Sequence, residues 1–258
     1  MSISDIHGML FDLDGVLYVG SQPIPGGAEA VSAIRASGMP CRFITNTSTQ
    51  SLASLAAKIQ GMGFAIPAEE IISAPQATLR YLQRLDDPVC RFLLAEDVRR
   101  DFAGFRQSDT EAEVIVIGDI GDTWSYRLLN EVFNCLMRGA RLVAIHKNRF
   151  WQTEQGLQMD IGGFIQALEY ASGVTTTIIG KPSADFFRIA LDDMHVQAEN
   201  AAIVGDDIDT DVGGGQEAGL MSILVKTGKY RQAYADASAI KPDLVLDSVS
   251  NLPAALGL

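Results

Sequence analysis

The sequence predicts an α/β fold, a parallel sheet layered between helices with a second α/β module inserted into it. Three observations carry this. Short apolar runs alternate with stretches of helical periodicity at both ends of the chain. The same rhythm fills the middle, at residues 78–177. Polar clusters follow directly on several of the apolar runs.

Gly8-Met9-Leu10-Phe11 reads as a buried strand ending at Asp12. Ala28, Val31 and Ile34 then recur at helical spacing, with Gly38 as a stop. Cys41 to Thr45 is a second strand, Leu52, Leu55, Ala56 and Ile59 a second helix, and Ile71-Ile72 a third strand. This β-α-β-α-β order implies parallel pairing, because each crossover carries a helix. Late in the chain Ala201 to Gly205, Ser222 to Val225 and Leu244 to Leu246 read as strands, and Asp211 to Gly219 as a short helix. Phe187, Ala190, Leu191 and Met194 stripe a helix opening near Pro182-Ser183, with the proline early in its first turn. In the middle, Phe92 to Leu94, Val114 to Ile117 and Leu142 to Ile145 read as strands. Leu128 to Leu136 and Ile161 to Ala171 read as helices. A Rossmann-like three-layer core is therefore expected over residues 1–77 and 178–258, with the insert over 78–177.

The chain has 258 residues, enough to bury a core without disulfides or a structural metal. Lys and Arg number 20 and Asp and Glu 32, a formal net charge of −12. Such a surface repels polyanions and anionic membranes, so nucleic acid and membrane are not expected as partners. Cys41, Cys90 and Cys135 are odd in number and widely spaced, which fits neither a disulfide framework nor a zinc knuckle. Met1 to Gly8 lacks the basic leader of a signal peptide, and a cytoplasmic location is expected.

Four polar clusters stand where ligands collect in such sheets, beyond the carboxyl ends of strands. Asp12-Leu13-Asp14-Gly15 offers two carboxylates on a turning chain, suited to one nucleophile and one proton carrier; a solvated acidic turn has the same composition. Thr45-Asn46-Thr47 offers a hydroxyl and backbone N–H groups to oxyanions, or simply caps a helix. Gly180-Lys181-Pro182 presents an ammonium before a helix, as a surface lysine also would. Gly205-Asp206-Asp207-Ile208-Asp209-Thr210-Asp211 places four carboxylates in six residues, which repel unless solvated or shared by a cation. Such hard oxygen ligands suit Mg²⁺, and a calcium loop competes, although the spacing lacks the glycine and glutamate of an EF-hand.

The order of these clusters resembles the haloacid dehalogenase (HAD) superfamily of phosphohydrolases. Asp12-Leu13-Asp14-Gly15-Val16 is similar to its first motif, Thr45-Asn46 to its second, Lys181 to its third, and Gly205-Asp206 to Asp211 to its fourth. The insert resembles the α/β cap of the class II, subclass A group typified by NagD and the 4-nitrophenylphosphatases. The likeness extends to Ile145-His146-Lys147, Ala167 to Ala171 and Val225 to Tyr230.

The resemblance implies an Mg²⁺-dependent phosphatase acting on a small phosphorylated substrate through an aspartyl-phosphate. By that likeness Asp12 is the nucleophile and Asp14 the general acid and base. Asp12, the Asp14 carbonyl and Asp206 hold the metal, and Thr45, Asn46, Thr47 and Lys181 bind the phosphoryl oxygens. Asp211 supports Lys181 or a metal-bound water. Asp207 assists the metal through water, and Asp209 is a solvated loop residue. The insert roofs the site with His146 to Trp151 and Gln158 to Asp160, and a homodimer built through it is in keeping with the subclass. His7 and His195 read as structural, Trp124 and Phe133 as packing. Three other functions share these features. A 2-haloacid dehalogenase needs neither Asp14 nor the Asp206 cluster. A phosphomutase would return the phosphoryl group to its substrate. A receiver-like phosphoacceptor switch would keep its acyl phosphate, but such modules are shorter and carry no large insert.

Overall fold

The computed structural model describes residues 3–153 and 156–258. Met1 and Ser2 of the expected non-signal start lie outside them, as does the side chain of Trp151. The chain forms two compact units. The first takes the chain up to Thr45, then Ala56–Ile72 and Lys181–Leu258; the second takes Asn46–Leu55 and Ser73–Gly180. The division falls inside the helix Leu52–Gly61.

In the first unit a six-stranded sheet runs in the order Leu244–Leu246, Met221–Val225, Ala201–Gly205, Gly8–Asp12, Cys41–Thr45, Ile71–Ser73. Gly8–Asp12 pairs in parallel with Ala201–Gly205 on one side and with Cys41–Thr45 on the other, with Phe11 opposite Val204 and Asp12 opposite Ile44. Every residue of Gly8–Asp12 and of Ala201–Gly205 is buried. Such continuous burial is what a central parallel strand covered on both faces requires, and it explains their unbroken apolar runs. Phe11 and Phe43 stack across neighbouring strands with ring centroids 5.4 Å apart.

The second unit holds a four-stranded sheet ordered Thr177–Ile178, Arg141–Ala144, Val114–Ile117, Cys90–Leu93, whose pairs are parallel. Helices Tyr126–Met137 and Gly162–Ser172 supply Val132, Leu136, Ile165 and Leu168 to one cluster with Ile115, Ile117 and Leu142. Trp124 stacks on Phe164 at 4.4 Å and Phe133 packs on the same cluster, so both are packing residues. Phe150–Thr153 and Gly156–Met159 pair antiparallel, an element the periodicity did not signal.

Several boundaries differ from the sequence reading, each for a local reason. Cys90–Leu93 begins two residues before the apolar run, because Arg91 is buried with its guanidinium on Glu131 at 2.8 Å and on the Asp109 carbonyl at 2.9 Å. A paired charge can enter a strand that an unpaired one would break. The helix after Lys181 is Ala184–Met194, with Ser183 as its cap. Its first turn closes where Phe186 N–H reaches the Ser183 carbonyl, so Pro182 stands outside the helix. The helix expected from Asp211 begins earlier, as a wide turn over Ile208–Gly213 followed by Gly214–Glu217. The Asp207 side chain caps it by accepting N–H bonds from Asp209 and Thr210. Thr177–Ile178 belongs to the four-stranded sheet, so Lys181 follows a strand of the smaller sheet and not one of the larger.

Phe43 is fully buried. Its replacement by alanine is expected to destabilise the protein by about 3–5 kcal/mol, the usual cost of a phenylalanine-sized core cavity. Urea denaturation of Phe43→Ala against wild type measures it; a loss within the error of the two curves would mean that Phe43 does not anchor this sheet.

Candidate active site

The central position of Gly8–Asp12 delivers Asp12 to the carboxyl edge of the larger sheet with strands on both sides. The chain then turns sharply: Leu17 N–H bonds to the Leu13 carbonyl at 2.9 Å and Gly15 N–H to the Tyr18 carbonyl at 2.7 Å. Gly15 has φ +93°, and a Cβ there would fall 1.9 Å from Asp206 Oδ2. Only glycine admits both the backbone and that approach.

Three sequence-predicted residues converge on Asp12. Lys181 Nζ lies 2.7 Å from Asp12 Oδ1 and 2.6 Å from Asp211 Oδ1. Asp206 follows the neighbouring strand Ala201–Gly205. Among the described residues Asp12, Asp206 and Asp211 form one group whose carboxylate oxygens lie within 4.8 Å of one another. All three are buried, as is Lys181. Thr45 is buried at the end of the strand that pairs with Asp12.

The carboxylates are not equivalent. Asp211 is engaged through both oxygens, by Lys181 on Oδ1 and by the Asp207 N–H on Oδ2 at 3.1 Å. Asp206 Oδ2 accepts the Lys229 N–H at 2.6 Å, while its Oδ1 is buried without a hydrogen-bond partner. An orphaned buried carboxylate oxygen is costly unless a proton or a cation meets it. Burial, and then the charges of Asp12 and Asp211, push the Asp206 carboxyl well above the usual carboxylate range. This donor set fits a hard divalent cation: oxygen ligands alone, buried, with one oxygen left open.

Asp14 and Asp207 flank the group. Asp14 is exposed; the protein around it raises its carboxyl, opposed by the charges of Lys58 and Lys229 and by N–H bonds from Gly20 and Gly15. Lys58 Nζ sits 4.3 Å over the Tyr18 ring. Burial would raise Asp207 too, but Lys229 and the N–H groups of Thr210 and Asp209 hold it below the ordinary range. Asp207 is therefore a helix cap and an ion-pair partner. Asp209 is exposed and accepts the Tyr234 hydroxyl at 2.6 Å.

Asn46 and Thr47, next in the chain after Thr45, belong to the second unit. There the following residues are fastened by Ser48 Oγ to His146 Nε2 at 3.1 Å, and by N–H bonds from Ser51 to Asp97 at 2.8 Å and from Leu52 to Asp101 at 3.2 Å. Of the residues expected to roof a substrate, His146 and Asp160 are buried, and Lys147 pairs with Glu169 at 2.5 Å. Arg149 and Gln158 are exposed, and Phe150 and Met159 are exposed partners across the hairpin.

Sequence reasoning missed the segment Thr227-Gly228-Lys229 as part of the site. The Thr227 hydroxyl bonds to the Gly15 carbonyl. Gly228 has φ +55°, and a Cβ there would lie 2.0 Å from Asp206 Oδ2. Lys229 Nζ lies 3.3 Å from Asp207 Oδ2. The signal was available, since these residues come one position after the end of the strand Met221–Val225, close to where the other clusters stand on theirs.

Comparison with known proteins bears on the whole chain. Residues 9–108 match a family profile described as haloacid dehalogenase-like hydrolase, and residues 178–252 match a second described as HAD-hydrolase-like. The chain is 37% identical over 244 residues to haloacid dehalogenase-like hydrolase domain-containing protein 2 of Bos taurus, covering 94% of this chain and 93% of that one. It is 35% identical over 255 residues to the phospholysine phosphohistidine inorganic pyrophosphate phosphatase of Mus musculus, covering 96% and 93%. The solved p-nitrophenyl phosphatase from Archaeoglobus fulgidus superposes with a TM-score of 0.91 at 30% identity, over 98% of this chain and 100% of that one.

The raised Asp206 carboxyl has a signed consequence. The folded state keeps a proton that the unfolded chain releases in the ordinary carboxylate range near about pH 4. In EDTA, stability is therefore expected to fall as pH rises from that range, and Asp206→Asn is expected to flatten the fall. Denaturant unfolding at stepped pH measures both; identical slopes for the two proteins would contradict the assignment.

Proposed function

The chain belongs to the haloacid dehalogenase-like hydrolases, and from that premise we propose that it is an Mg²⁺-dependent phosphatase of small phosphorylated metabolites that works through an aspartyl-phosphate on Asp12. The observation that carries the reading is the ion pair of Asp12 with Lys181 beside the unpartnered oxygen of Asp206. A phosphate ester needs a nucleophile, fixed positive charge and a route for one proton, and these residues offer all three.

In the proposed sequence the Asp12 carboxylate attacks phosphorus, and the bond from phosphorus to the ester oxygen breaks. Asp14 gives its proton to that oxygen, so the alcohol leaves neutral. The raised carboxyl of Asp14 suits this donation, because it keeps the proton nearer neutral pH. Water then attacks the phosphorus of the aspartyl-phosphate, Asp14 takes its proton, and the bond to Asp12 breaks to restore both residues. Lys181 and the Thr45 hydroxyl hold the non-bridging phosphoryl oxygens, with Asn46 and Thr47 as the next donors along the chain. Asp211 keeps Lys181 aimed at Asp12. Asp12, Asp206 and the Asp14 carbonyl are the residues that would hold Mg²⁺, which when bound supplies countercharge to the phosphoryl oxygens.

We assign the first unit as the catalytic core and the second as the cap. The cap then comprises Ser73–Gly180 together with Asn46–Leu55, a wider set than the 78–177 read from sequence. The name of one relative covers P–N and P–O–P substrates, so phospholysine, phosphohistidine and pyrophosphate belong beside sugar phosphates and nucleotides in a substrate panel.

Phosphate release from p-nitrophenyl phosphate with Mg²⁺ tests the reading. Asp12→Asn is expected to abolish it, and equal rates for Asp12→Asn and wild type would sink the proposal. Asp14→Asn is expected to lose about 10²–10⁴-fold in kcat/KM on an alkyl phosphate, the usual range for a general acid. It should lose less on p-nitrophenyl phosphate, whose leaving group needs little protonation. An equal loss on both substrates would remove Asp14 from the acid role.

A further inference from the structure

Lys229 is a charge that the proposed chemistry does not use. Its backbone N–H is committed to Asp206 Oδ2 at 2.6 Å, and its side chain is held separately, with Nζ 3.3 Å from Asp207 Oδ2. About a third of that side chain is exposed, so the ammonium could turn to water. It stays inward, and the carboxylates that act on it most are Asp207, Asp206, Asp12 and Asp211, with Asp14 also within reach of its charge. Lys181 is the other ammonium in the group, and it is consumed by Asp12 and Asp211. Lys229 is thus the ammonium that pairs with Asp207.

Its two attachments have separable effects. The N–H bond belongs to the backbone, so it survives replacement of the side chain and continues to place Asp206. The ammonium contributes charge alone to the loop. An ammonium whose charge acts on the same carboxylates that would hold a cation competes with it, so it weakens cation binding while it stabilises the empty acidic loop.

We propose that Lys229 is the resident counter-ion of this crevice, a positioning residue that compensates the acidic loop in the metal-free protein and limits how tightly Mg²⁺ binds. The inference rests on the reading of Asp12, Asp206 and the Asp14 carbonyl as the Mg²⁺ site. It deepens that reading, since restrained affinity leaves the loop able to release and retake the cation. A lysine that merely braced the loop would have the opposite effect, because its loss would disorder the ligands and weaken binding.

Titration calorimetry with Mg²⁺ and thermal unfolding in EDTA separate the two roles in wild type, Lys229→Met, Lys229→Gln, Lys229→Arg and Asp206→Asn. Lys229→Met and Lys229→Gln are expected to bind Mg²⁺ about tenfold more tightly, a change of one decade in Kd. Both should melt at a lower temperature than wild type in EDTA, and Lys229→Arg should behave as wild type in both measurements. Unchanged or weaker Mg²⁺ binding by the two neutral variants, or EDTA melting equal to wild type, overturns the inference. Wild type that binds Mg²⁺ while Asp206→Asn does not keeps the metal site intact whatever the Lys229 variants show. Wild type that binds none removes the site and the inference together.

Discussion

Burial of three carboxylates around one lysine is the constraint on which the rest of the structure depends. Asp12, Asp206 and Asp211 stand within 4.8 Å of one another and away from water, an arrangement that repels itself unless cations are built in. Lys181 joins two of the three, Lys229 faces the loop, and one oxygen of Asp206 is left over. Each neighbouring element answers this problem. The central strands place the acids, and the segments around Gly15 and Gly228 close over Asp206 with no room for a Cβ. The wide turn Ile208–Gly213 returns Asp211 beneath Lys181. The acids that make the crevice hostile to anions are the same groups that attract a hard cation, and with that charge a phosphoryl group becomes an acceptable guest.

Much of this was legible because it is local. A strand buried on both faces must be a continuous apolar run, and Gly8–Asp12 and Ala201–Gly205 announce themselves that way. Beyond the end of such a strand the side chains are released to the crevice, so Asp12, Thr45 and Asp206 could be named from position alone. The resemblance to a known superfamily then attached roles to them.

What was not legible depends on partners distant in sequence. Arg91 sits inside a strand because Glu131, forty residues on, meets its guanidinium. Nothing in the run before Lys181 tells which sheet it joins, and only the pairing of Thr177–Ile178 with Val143 and Ala144 places it in the smaller. Lys229 resembles any surface lysine until Asp206 and Asp207 are brought beside it. The segment after Thr45 looks like a simple connection to a helix, and only the contacts of Ser48, Ser51 and Leu52 show which unit holds it. Periodicity reports burial; it does not report which neighbour satisfies a buried polar group.

That last segment gives the architecture an unusual bookkeeping of parts. The chain passes between its two units at Thr45, Leu55, Ile72 and Gly180, so the smaller unit is assembled from two separate stretches. A chimera that transplants the long stretch alone from a relative would leave the native short stretch facing foreign replacements for Asp97, Asp101 and His146. Grafting across this group of proteins calls for two donor fragments exchanged together, with junctions at all four crossings.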